Sequence, residues 1–204
     1  MARQTPLRLP RGRPREFDKD AVIERAMGVF WSSGYNGTSL PDLLEATNLS
    51  RGSLYAAFGD KHGLFLRSLD RYIDDSLTRL DRELDPRKNA LAGIRVCLAG
   101  YVERASGVGG KRGCLVVATA MELAGHDIEV ERRIRRFFKA METRLAAALV
   151  RARAEGDLVE GVDPATVARL LVCLVEGMRV VSKTSADRPL SQAVVQTVID
   201  RFAK

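Results

Sequence analysis

From Asp18 onward the apolar positions recur every three to four residues, the period of a helix with one buried face. Ala21, Val22, Ala26, Val29 and Phe30 form the first such stripe. Asp18 is placed to cap it, and Gly34 to stop it. A short helix is expected over 40–47, with Ser39 and Asp42 as a capping-box pair and Pro41 in the first turn, where a missing N–H costs little. Asn48-Leu49 is a tight link, and Ser50 caps a second short helix over 51–58. A longer amphipathic helix is expected over 60–84, carrying Leu64, Phe65, Leu69, Tyr72, Ile73, Leu77 and Leu80 on one face.

The rest of the chain is also helical in pattern. Segments 90–105, 114–124, 127–155, 163–183 and 191–202 each carry a helical stripe, and the glycine-rich stretch 106–113 is read as a linker. In 127–155 the stripe is Val130, Ile134, Phe137, Phe138, Met141, Leu145 and Leu149. In 163–183 apolar residues lie on most faces, including Leu170, Cys173, Val180 and Val181. A helix apolar all round needs cover on all sides, more than a chain this small supplies alone. With Val194, Val198 and Phe202 of the last segment, it points to an interface with a second copy. The fold class is all-α, with a small N-terminal three-helix domain that offers a helix-turn-helix candidate and a larger C-terminal helical domain. The boundaries are expected at 1–16 for a flexible basic arm, 17–62 for the small three-helix domain and 63–204 for the helical body.

Composition narrows the function classes. With 46% hydrophobic and 29% charged residues the chain is globular rather than disordered, and its net charge of +7 favours a polyanionic partner. Three cysteines, Cys97, Cys114 and Cys173, do not close into a set of intrachain disulfides. With no secretory signal and no apolar run long enough for a bilayer, the expectation is a cytoplasmic protein with free thiols and no membrane partner. No catalytic constellation, phosphate loop or metal-ligand spacing is present, so neither an enzyme nor a cofactor or metal is expected. His62 and His126 with their acidic neighbours make no convincing metal set.

The two short helices carry the chemistry. Leu43, Leu44, Leu49, Leu54 and Phe58 would fill the core between them, turning Arg51, Gly52, Ser53 and Tyr55 outward on the first turn of the second. That turn is where a recognition helix meets bases and phosphates. Phe30, Gly34-Tyr35, Thr38-Ser39, Ser50-Arg51-Gly52-Ser53-Leu54-Tyr55 and Phe58 with Asp60-Lys61 together resemble the TetR family of regulators over residues 17–72. Beyond that only length and helical order match. The resemblance implies that Arg51 contacts bases, through the paired guanine acceptors O6 and N7. It implies that Ser53 and Tyr55 donate hydroxyl hydrogen bonds to phosphates or bases. Lys61 would bind a phosphate beside a helix N-terminus, and Thr38 and Ser39 would sit where the second helix approaches the DNA backbone. Ala56 and Ala57 are smaller than is common in the family, which limits how many bases the helix reads. The plainer alternative makes Tyr55 a core aromatic and Lys61 a solvated charge.

The same resemblance implies that 17–62 is a helix-turn-helix DNA-binding domain and 63–204 a helical ligand-binding and dimerisation domain, with a homodimer built from the last two helices of each copy, a palindromic operator in double-stranded DNA, and repression relieved by a small-molecule or electrophile signal. A signal-independent architectural DNA-binding protein is the competing function. In the arm, Arg11-Gly12-Arg13-Pro14-Arg15 is similar to an AT-hook core; either Arg13 enters an A·T minor groove, or the arm is a solubilising tail. Tyr101, Met121, Glu122, His126 and Phe138 are candidates for a signal pocket. Cys114 opens an apolar helix after Lys111-Arg112-Gly113, where cations and a helix N-terminus favour thiolate, and its placement is similar to that in electrophile-sensing members of the family. The other reading, and the favoured one, is a small buried hydrophobe, as Cys97 and Cys173 are also expected to be.

Overall fold

The computed structural model describes residues 17–204, and those residues are helical with no strand among them. Ten helices follow one another: α1 (Lys19–Ser33), α2 (Leu40–Thr47), α3 (Arg51–Phe58), α4 (Lys61–Glu83), α5 (Ala90–Arg104), α6 (Gly107–Arg112), α7 (Leu115–Leu123), α8 (Ile128–Ala154), α9 (Pro164–Val181) and α10 (Arg188–Ile199). Their starts follow capping chemistry visible in the sequence. Asp18 accepts from the Asp20 and Ala21 amides, Ser50 from Ser53, Asp60 from Gly63 and Asp163 from Thr166. Ser39 and Asp42 form the full capping box. Asn48 ends α2 in the left-handed conformation, φ 55°, which turns the chain directly into α3.

The first three helices and the start of α4 enclose a small core of Val22, Ala26, Phe30, Leu43, Leu54, Leu64, Phe65 and Leu69. Phe30 meets Phe65 edge to face, with ring centres 5.0 Å apart. Leu44, Leu49 and Phe58 pack on this core half-buried. The long α4 runs through the expected boundary at 62/63 without a break and carries the small domain on its first turns. In the larger body α8 packs on α4, α5, α7 and α9. Its face of Val130, Ile134, Phe137, Met141, Leu145 and Leu149 is buried there.

Several boundaries and burials differ from the sequence reading. The glycine-rich 106–113 stretch is not a linker; six of its residues form α6. Glycine disfavours helix, but Ser182 Oγ donates to Gly110 O at 3.0 Å in the buried interior, so tertiary contact overrides propensity. α10 begins at Arg188 because Asp187 caps the Leu190 amide at 3.0 Å. It ends at Ile199 because the Val159 amide bonds Phe202 O and Leu158 bridges Ala203. Cys97 and Cys114 are buried, whereas Cys173 is exposed. On α9, expected to be covered all round, Leu170, Cys173, Gly177, Val180 and Val181 face solvent in the single chain. On α10, Leu190 and Val194 do the same. No helix among the described residues is long and apolar enough to cross a membrane.

Candidate nucleic-acid interface

The outward surface of α3 is a consequence of its short length. One buried residue, Leu54, anchors it, and the Ser50 cap fixes its first turn. Arg51, Gly52 and Tyr55 therefore stand in solvent, Tyr55 at 44% exposure. Among the described residues Arg51 makes no side-chain hydrogen bond or ion pair, so its guanidinium remains available to an external acceptor. Tyr55 is not a core aromatic; the core ring of this helix is Phe58, packed inward. At Gly52 an added Cβ would meet only Ser50 Oγ at 3.9 Å, so nothing inside the chain requires glycine there. Gly63 is the opposite case: a Cβ would fall 2.0 Å from Phe58 O, so the α3–α4 turn requires glycine.

Three predicted contacts are modified by internal bonding. Thr38 is buried and its hydroxyl donates to Gly34 O at 2.6 Å. It shapes the α1–α2 turn and has no side-chain surface for a DNA backbone. Ser39 is exposed, with Oγ accepting from the Asp42 amide at 3.3 Å. Ser53 is half-buried and its Oγ lies 2.9 Å from Ser50 Oγ. Lys61, in the first turn of α4, holds its ammonium 4.4 Å from the centre of the Tyr35 ring. That cation–π contact orients the charge without neutralising it. Arg13 and the AT-hook-like stretch lie outside the described residues.

The helix-turn-helix unit is tied to the body at three places. Glu122, at the end of α7, accepts from the Tyr35 amide at 2.9 Å and the Asn36 amide at 2.6 Å. Both amides belong to the turn between α1 and α2. Gly34 allows this approach: its φ is +74°, and a Cβ would lie 2.9 Å from Glu122 Oε2. Asp127, the N-cap of α8, lies 2.6 Å from His62 Nε2 on α4. Burial raises the Asp127 carboxyl pKa, but amide bonds from Val130 and Glu129 and the His62 contact lower it more. The tyrosine between these acids, Tyr35, is pushed above its ordinary pKa, first by burial and then by Asp60, Asp127 and Glu122. The third tie is Arg112, stacked 4.1 Å over the Trp31 ring and donating to Gly28 O at 3.0 Å.

Behind Arg112 lies a buried polar cluster. Arg179 of α9 donates to Gly113 O and, at 3.4 Å, to Tyr72 Oη. Tyr72 Oη donates to Cys114 Sγ at 3.5 Å. Cys114 is 6% exposed, and its thiol pKa is pushed up to about 11, first by burial and then by Glu176. A cation and the helix start do lower it, through Arg179 and the Val117 amide, but burial and Glu176 outweigh them. The cation acting on the sulfur is Arg179, since Arg112 is engaged by α1. Of the residues expected around a signal pocket, Tyr101 is buried in this body and Phe138 is half-buried. Met121 and His126 are on the surface, and Glu122 is the tie to the turn rather than a lining residue. Glu176 and Arg179 were not singled out in the sequence, while Tyr72 was assigned only to an apolar face and Arg112 only to the charge beside Cys114. A signal for the first two existed, since they are charges inside an otherwise apolar helix.

Comparison with known proteins adds the family context. The family model described as bacterial regulatory proteins, tetR family, matches residues 22–67. The tetracyclin repressor-like C-terminal domain model matches residues 90–198. The chain is 30% identical over 181 residues to the HTH-type transcriptional repressor ComR of Escherichia coli K12, covering 87% of this chain and 85% of that one. It is 31% identical over 133 residues to the repressor BdcR of the same organism, with 65% and 66% covered. Among solved structures, a cysteine-substituted form of the TetR family transcriptional regulator CifR in complex with 26-bp operator DNA matches with a TM-score of 0.82. The identity is 32%, with 94% of this chain and all of that one covered. Reduced NemR of E. coli shares the fold at a TM-score of 0.80 and 21% identity.

Proposed function

The chain belongs to the TetR family of transcriptional regulators, and from that premise we propose that it is a homodimeric repressor that a small molecule releases from a palindromic operator. The observation that carries this reading is the outward turn of α3, where Arg51 and Tyr55 stand in solvent on a helix fixed by its Ser50 cap. Similarity to proteins named as repressors, and to one bound to operator DNA, supports it. Arg51 reads guanine, Tyr55 and Ser39 reach phosphates, and Lys61 adds a phosphate contact at the start of α4. Gly52 lets the DNA backbone approach closely.

The apolar strip of α9 and α10 is the surface by which two copies pair. Two-fold pairing sets the recognition helices about 34–36 Å apart, one turn of DNA. The signal acts through the three ties. A ligand that binds one arrangement of the body more tightly than another moves α7 and the start of α8, and with them the α1–α2 turn and the base of α4. A buried, protonated Cys114 favours a non-covalent ligand over an electrophile as that signal. Footprinting of purified protein on the DNA upstream of its own coding region tests the reading. Protection of a palindrome, lost in Arg51→Ala, is expected. Binding of equal strength to unrelated sequences would overturn it in favour of an architectural role.

A further inference from the structure

Between α8 and α9 the surface opens into a cavity of about 430 Å3, walled by Phe138, Val172 and, at the edge of the strip by which two copies pair, Cys173. That volume lies in the range of small-molecule sites, roughly 300–1,000 Å3. The basic residues at its mouth already have partners. Arg135 pairs with Glu131, and Arg169 lies 2.6 Å from Glu142. Lys139 shares the same carboxylate at 4.0 Å. The unmatched group is deeper. Glu176 forms part of the inner wall and is 9% exposed. Its Oε2 has no hydrogen-bond partner among the described residues, and no cation lies within ion-pair distance. Arg179, one turn further along α9, is directed to Gly113 and Tyr72 instead.

A buried acceptor left without a donor is costly, and such groups in native structures ask for a missing partner. The terminal torsion of a glutamate is soft, so the carboxyl can turn an oxygen toward the cavity at little cost. Burial also raises the carboxyl pKa, against the lowering effect of the Cys114 hydrogen bond and the arginines, so a donor arriving there meets a strong acceptor. We propose that this cavity takes a small, largely apolar ligand bearing one hydrogen-bond donor, an amine or a hydroxyl, which the Glu176 carboxyl accepts. The inference rests on the reading of the protein as a signal-responsive regulator and names the chemistry of its signal. Position makes the cavity suited to that task. Glu176 faces Cys114 at the start of α7 and is one turn from Arg179, whose bond to Gly113 O abuts Arg112 and its contact with α1.

Calorimetry on the full chain without DNA tests it, using naphthylmethylamine and naphthylmethanol against methylnaphthalene and naphthoate. The two donors are expected to bind at least about tenfold more tightly than the hydrocarbon, as a hydrogen bond to a charged group implies, with the carboxylate weakest. Glu176→Gln should remove most of that preference and leave methylnaphthalene unchanged. Phe138→Trp should fill the cavity and weaken all the probes while circular dichroism stays helical. Equal affinities across the series, a preference for naphthoate, or an unaltered donor preference in Glu176→Gln would overturn the proposal. Operator footprinting on the same preparations separates the two readings. A protein that protects DNA but shows no donor preference loses only the cavity proposal. One that prefers donors but protects no DNA keeps the cavity and loses the regulator.

Discussion

Glu122→Gln removes one carboxylate oxygen from the two-pronged contact with the α1–α2 turn and puts an NH2 donor opposite a backbone donor. The bonds at stake are 2.9 Å to the Tyr35 amide and 2.6 Å to the Asn36 amide. A hydrogen bond to a charged group contributes about 1.5–3 kcal/mol when sheltered. The Tyr35 bond is part-buried and the Asn36 bond is exposed, so water and salt screen the second strongly. Glutamine keeps one acceptor. The net loss is therefore about 1–2 kcal/mol, which multiplies local opening by roughly five to thirty. Amide hydrogen exchange reads this directly. Tyr35 and Asn36 should exchange about five- to thirtyfold faster in the variant, while the α5 and α8 core amides keep their rates. Ligand-induced release from operator DNA should weaken in parallel, because the turn no longer follows α7. Unchanged exchange at both amides would refute the assignment of Glu122 as the tie.

Arg51→Ala should lower discrimination at one base pair by about 1–3 kcal/mol, measured by competition between operator variants; equal discrimination would remove Arg51 from the bases. Lys61→Ala should weaken binding to all sequences alike and flatten the slope of log affinity against log salt by about one unit, and an unchanged slope would count against a phosphate contact. In a Cys97→Ser, Cys173→Ser background, alkylation of Cys114 by iodoacetamide should keep rising with pH until about 11 rather than level near the ordinary 9.0. The sign for stability follows. A folded pKa above the unfolded one contributes stability that is complete below pH 9 and is lost as pH rises toward 11. A plateau near 9 would mean that the thiol is not buried as described.

The parts of this fold that were legible in the sequence are those with short-range causes. Asp18, Ser39, Ser50, Asp60 and Asp163 cap helices within three residues of themselves, so the starts of five helices could be read from local chemistry. The recognition turn was legible for the same reason. α6 was not, because its Gly110 and the Gly113 that ends it are held by Ser182 and Arg179, about 70 residues away. Thr38 was misread because a hydroxyl at a turn serves DNA or its own backbone equally well in sequence, and Gly34 O lies 2.6 Å from it. Glu122 was drawn into the signal pocket because its helix faces the body, while its partners lie 86 and 87 residues earlier.

Those long-range bonds give the contact between α1 and the body a register that the shared apolar core does not set. An apolar seam would bury its area whichever way the surfaces slid, since the hydrophobic effect has no direction. A carboxylate on two particular amides, an acid on His62 and a guanidinium over Trp31 are satisfied in one register only. Displacing the body against α1 would leave those groups to water together. Behind the cavity wall formed by Glu176 the pattern repeats. Tyr72, Cys114, Glu176 and Arg179 form a buried polar cluster in which Glu176 Oε2 and Arg179 Nε remain unpartnered. Removing one member alone, as in Arg179→Leu, would leave Gly113 O without its donor and the Glu176 carboxyl without its nearest cation, and would lower stability.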